Sequence, residues 1–198
     1  MIKRVRMVLW ALVGLAAAGG AYLALYPPRP GTLASSSGLP LDTIGGPFTL
    51  IGSDGLPFSS SKLAGKPAAI FFGFTHCPDV CPTTLARLTK LRRQLGEDGF
   101  SIVFITVDPE RDQPADVGRY ATLFDTPVIG LTGSPAQIDR VKKQFGVFSQ
   151  KVPTPGGDYS VDHTATVFLL DRNGKFVATL SPEEGNDVAL DKLRRIAA

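Results

Sequence analysis

Residues 7–28 contain no charged side chain, and twenty of them, MVLWALVGLAAAGGAYLALY (7–26), are almost wholly apolar. That is about the length a helix needs to cross the hydrocarbon core of a membrane. A stretch rich in Pro, Ser and Gly follows, PPRPGTLASSSGLP (27–40), and predicts an extended tether. Beyond it the pattern breaks into short elements. PFTLIG (47–52) reads as a strand, Asp54-Gly55 as a turn, and LPF (56–58) as the segment that follows it. AAIFFGFT (68–75) is a continuous apolar run of strand length, the mark of a strand buried on both faces.

Helical spacing takes over next. Leu85, Leu88, Leu91 and Leu95 form one stripe between Arg87, Lys90, Arg92 and Arg93, with Pro82 suited to the first helical position and Gly96 to the stop. SIVFITVD (101–108) predicts a second buried strand, and Pro114 opens a helix through Phe124. Ser134-Pro135-Ala136-Gln137 spells a capping box that starts a helix ending at Gly146. ATVFLLD (165–171) and KFVATL (175–180) flank Asn173-Gly174, a hairpin signal, and a last helix runs from an N-cap at Asn186. This order predicts an α/β domain of thioredoxin-like fold over residues 42–198. GVFSQKVPTPGGDYSVDH (146–163) fits no helix and reads as an inserted loop or hairpin.

Charge refines the division of the chain. Lys3, Arg4 and Arg6 precede the apolar block and only Arg29 follows closely, so the positive-inside rule leaves residues 1–6 in the cytoplasm and sends the domain across the membrane. The expected plan is a cytoplasmic N-terminus (1–6), one transmembrane anchor (7–26), a tether (27–41) and the domain (42–198). A cleavable signal peptide is the rival reading, favoured by the small residues of AAAGGA; the length of the apolar run favours the anchor. With no transit-type stretch ahead of it, the anchor points to a bacterial inner membrane and a periplasmic domain. The four bases of residues 1–41 leave 17 bases against 18 acids beyond them. The domain is nearly neutral, with nothing resembling a nucleic-acid footprint.

The two cysteines of the chain, Cys77 and Cys81, stand four apart where the apolar run meets the Leu stripe. Chemistry gathers at such carboxyl ends of strands, and a thiol at a helix N-terminus has its thiolate stabilised. A purely structural disulfide closing so short a loop would stabilise little. A redox catalyst of thioredoxin type would have C-x-x-C spacing and a proline before the facing strand. The segment there is Val161-Asp162-His163-Thr164, without proline. His163, one of two histidines, stands in its place, and two thiolates with an imidazole make a soft three-donor site suited to Cu(I) or zinc. His76 adjoins Cys77 in extended chain and should point away.

FGFTHCPDVCPTTL, VDPERDQP (107–114) and YSVDHTATVFLLD (159–171) together resemble the Sco/SenC proteins, thioredoxin-fold copper chaperones of cytochrome c oxidase assembly. The resemblance runs from IGGPF (44–48) to the C-terminal helix and includes the anchor. It implies copper as cargo, with Cys77, Cys81 and His163 as its ligands, and delivery to, or reduction of, the binuclear copper centre of oxidase subunit II or another copper-receiving protein. A membrane-anchored thiol–disulfide reductase using Cys77 and Cys81, or a redox or copper sensor, remains the alternative. Asp108, Arg111 and Asp112 match the second motif and read as a strand-end turn network. Asp162 is expected to orient His163 through its non-ligating nitrogen.

Overall fold

The computed structural model describes residues 44–96, 98–155 and 157–197. The expected anchor at 7–26 lies outside them, and among the described residues no helix is long and apolar enough to cross a membrane.

The chain runs β1 (Thr49–Gly52), β2 (Pro57–Ser59), β3 (Ala68–Gly73), α1 (Val80–Leu95), β4 (Ser101–Thr106), α2 (Pro114–Ala121) and β5 (Val128–Thr132). It continues with α3 (Pro135–Phe145), β6 (Ser149–Pro153), β7 (Tyr159–His163), β8 (Val167–Leu170), β9 (Phe176–Leu180) and α4 (Asn186–Ala197). Seven strands form one sheet in the order β2-β1-β5-β4-β3-β8-β9, while β6 and β7 pair separately. β3, β4 and β5 are parallel, and β8 joins β3 antiparallel.

The apolar runs go where their pattern requires. All six residues of β3 are buried, as helices on both faces of a parallel sheet demand. Leu85, Leu88 and Leu91 turn the inner face of α1 onto it. Phe72, Phe145 and Phe168 interlock with ring centroids 5.4–5.9 Å apart. Ser134 and Gln137 close the expected capping box, and Gly146 ends α3 with φ +67°. The turn at Asn173-Gly174 is formed, with Gly174 at φ +76°.

Several expectations change. Val128–Thr132 is a strand that the pattern did not announce, because Gly130 interrupts a short run between Pro127 and Gly133. The backbone of Val117 on α2 lies so close to Gly130 that a Cβ there would meet its carbonyl oxygen at 2.7 Å. The helix opened by Pro114 ends at Ala121 and not at Phe124. α1 starts at Val80 with Asp79 at the N-cap, which makes Pro82 its third residue and brings Cys81 into the first turn. Pro is tolerated there because the first amides of a helix have no intrahelical partner. The inserted segment is a hairpin, and His163 is the last residue of its second strand.

Candidate metal centre

Three elements build the site. The turn leaving β3 carries Cys77, the first turn of α1 carries Cys81, and the end of β7 carries His163. Their Sγ, Sγ and imidazole nitrogen all lie within 4.8 Å of one another. The residues 82 positions apart in sequence are therefore neighbours, with Cys81 Sγ 3.5 Å from His163 Nε2.

Each donor is held by its surroundings. The Cys77 N–H donates to the Phe74 carbonyl at 3.2 Å, and Cys77 Sγ accepts the Cys81 N–H at 3.4 Å. One of the unpaired amides at the start of α1 thus points at a sulfur. Cys81 is fully buried and Cys77 partly open; both are free thiols. Burial pushes the Cys81 thiol well up from its ordinary value, with the neighbouring Cys77 adding to the rise, so the helix N-terminus does not win at this sulfur. Gly73 lies directly beneath it: a Cβ there would stand 2.8 Å from Cys81 Sγ.

His163 stands edge-on to Phe71 and Phe74, with centroids 6.0 and 5.9 Å away. Its Nδ1 is 3.0 Å from the Thr164 carbonyl. A carbonyl only accepts, so Nδ1 carries the proton and Nε2 offers its lone pair to the sulfurs. Burial lowers the His163 pKa, opposed by that carbonyl, and favours the neutral, ligating form. This corrects the expected role of Asp162. Along β7, Val161 is buried and Asp162 exposed; alternation sends Asp162 to the opposite side from His163, and the Thr164 backbone takes its place.

Beneath the turn lies a carboxylate that sequence reasoning had only as part of a turn network. Asp112 is fully buried. It accepts the Thr75 N–H at 2.9 Å, the Thr75 hydroxyl at 2.6 Å and the Thr106 hydroxyl at 2.6 Å. It ties the chain just before Cys77 to the end of β4. His76 lies over this carboxylate, Nδ1 3.5 Å from Oδ1, and turns away from the sulfurs as expected. Asp108 and Arg111 form the other half of the network, paired at 2.6 Å.

The family model described as SCO1/SenC matches residues 37–198. The chain belongs to the SCO1/SenC family. An SCO2-like protein of Rickettsia prowazekii is 43% identical over 138 residues, covering 68% of this chain and 67% of the relative. Copper-bound ScoI of Bradyrhizobium japonicum superposes with a TM-score of 0.70 at 44% identity, over 77% of this chain and 99% of that one. BsSco, described with a disulfide switch and as a member of the Sco family of cytochrome c oxidase assembly proteins, matches with a TM-score of 0.62 at 26% identity, over 80% and 96%. Further relatives are mitochondrial, in yeast and in cattle, or a lipoprotein of Bacillus anthracis. The thioredoxin-like Sco fold follows for this chain. In this Sco domain two sulfurs and one neutral imidazole make a donor set soft enough for copper.

Proposed function

We propose that the protein is a membrane-anchored copper chaperone in which Cys77, Cys81 and His163 bind copper. It passes the metal to the binuclear copper centre of cytochrome c oxidase subunit II, or to another copper-receiving protein. The observation that carries this reading is the convergence of three soft donors within 4.8 Å, the third of them an imidazole with its free nitrogen turned inward. A dithiol reductase does not need that third donor; two thiolates alone leave copper under-coordinated.

Transfer then proceeds by ligand exchange. Thiolates of the receiver enter on the open side, displace the partly open Cys77 first, and release the fully buried Cys81 last. His163→Ala should keep the fold and the thiols while weakening copper binding at least about 10–100-fold. Cys77→Ser and Cys81→Ser should abolish it. Copper competition titrations, run beside a disulfide-reduction assay on the same variants, measure both. Unchanged copper affinity in His163→Ala with lost reductase turnover would replace the chaperone by the thiol–disulfide reductase. That second reading is supported by the helix amide on Cys77 Sγ and by the disulfide switch described for BsSco.

For location we propose a single-pass inner-membrane protein with its C-terminal domain in the periplasm. Lys3, Arg4 and Arg6 against Arg29 support this orientation. A C-terminal reporter that works only in the cytoplasm should be silent; an active one would reverse the topology.

A further inference from the structure

The hairpin that ends in His163 shares no strand pairing with the seven-stranded sheet. A lone two-stranded hairpin is marginally stable, so its attachments decide how firmly the imidazole is held. At its root, the Thr164 N–H donates to the Phe148 carbonyl at 3.0 Å and the Phe148 N–H to Thr164 Oγ1 at 3.0 Å. At the far end, polar ties run to the turn after β4. The Tyr159 hydroxyl donates to Asp108 Oδ1 at 3.0 Å. Arg111 donates through Nε to Asp108 Oδ2 at 2.6 Å, and through Nη1 to the Tyr159 carbonyl at 2.9 Å and the Asp158 carboxylate at 3.1 Å.

Ring contacts extend the same joint towards the metal site. The Arg111 guanidinium lies 3.7 Å from the Tyr159 ring centroid and 5.9 Å from that of Phe74. Phe74 in turn meets the His163 ring at 5.9 Å and 90°. Along β7, Tyr159, Val161 and His163 share one side, and Val161 is buried, so a displacement of Tyr159 is passed to His163 through a packed strand. Arg111 itself, a guanidinium with donors only and no lone pair to give, is not a metal ligand.

We propose that Arg111 is the positioning residue for His163. Through Tyr159 and Phe74 it keeps the hairpin closed on the domain and sets how readily the imidazole leaves copper when the metal is handed on. This rests on the copper reading of the site. The role suits arginine, since a planar fork can bond the Asp108 carboxylate and the Tyr159 carbonyl while stacking on a ring, and an ammonium cannot do all three.

The test uses Arg111→Lys and Tyr159→Phe in the full-length chain. In the metal-free protein, hydrogen–deuterium exchange of the peptide covering residues 159–163 should be several-fold faster in both variants, with the β3 peptide unchanged. Copper transfer to a dithiol chelator should be about tenfold faster in Arg111→Lys. In a His163→Ala background the same substitution should add nothing, because both changes act on one ligand. The Cu(II) spectrum of Arg111→Lys should move towards that of His163→Ala. Unchanged exchange at 159–163, or acceleration of transfer that is equal with and without His163, overturns the proposal. If Arg111→Lys loosens β3 as well, Tyr159→Phe, which keeps both rings and the guanidinium, decides by the same measurements. If His163→Ala alone leaves copper transfer unaltered, the copper reading fails and the kinetic role with it. Hairpin exchange then still reports separately whether Arg111 holds the hairpin.

Discussion

At the residue scale the two thiols differ in exposure: Cys77 is partly open, whereas Cys81 is wholly buried against Gly73. An alkylating reagent should therefore modify Cys77 first on the reduced, metal-free protein, as peptide mass mapping would read; equal rates would deny the burial of Cys81. The raised Cys81 pKa also makes stability depend on pH. Below the unfolded thiol value of about 8.5 both states hold the proton and the contribution is complete. Above it the unfolded chain releases the proton and the folded one keeps it, so stability falls as pH rises. The unfolding free-energy gap between the parent and Cys81→Ala should shrink from pH 7.5 to pH 9.5 in urea titrations. A gap independent of pH would mean that the thiol ionises freely in the folded protein.

Elements meet at the site through close approaches that tolerate no added atom. Gly73 ends β3 under Cys81, and a Cβ there would stand 2.8 Å from its sulfur and 3.0 Å from Phe71 and Phe104 ring carbons. Gly73→Ala should cost about 1–3 kcal/mol by overpacking and weaken copper binding by pushing Sγ off its position. Thermal melts and a copper titration check both effects; a variant of parental stability and affinity would show that α1 is free to shift. β3, α1 and α3 were legible because each is long or strongly patterned for its type. β5 was not: its five residues contain a glycine whose reason is the backbone of α2 packed over it, a contact no local pattern records.

On the scale of the whole molecule, bound copper would join three segments, the β3–α1 turn, α1 itself and the hairpin, that are otherwise held by packing and a few hydrogen bonds. A ligand that binds only the folded state stabilises it by about 2.7 kcal/mol at a hundredfold excess over its Kd. For a domain of this size that raises Tm by roughly 5–10 °C. Scanning calorimetry of the copper-loaded and metal-free protein should show the shift, and His163→Ala should lose most of it. A full shift in that variant would mean that the hairpin takes no part in holding the metal.

The local pattern by itself determined the strand–helix order, the buried central strands, the caps at Ser134 and Gly146, and the placing of Cys77 and Cys81 at a strand-to-helix handover. These follow from the periodicity of apolar residues and from short-range capping chemistry, which act within a few residues. His163 could be singled out because it stands where a facing strand begins, yet its partner is not Asp162 next to it in sequence. Only the tertiary structure decided that the Thr164 carbonyl holds the ring, that Asp112 anchors the cysteine turn from 35 positions beyond Cys77, and that Arg111 reaches the hairpin. The Asp112 and Arg111 contacts join residues far apart in the chain. The Thr164 contact depends on how the chain turns at the end of β7, and the geometry of all three exists only once the domain has packed.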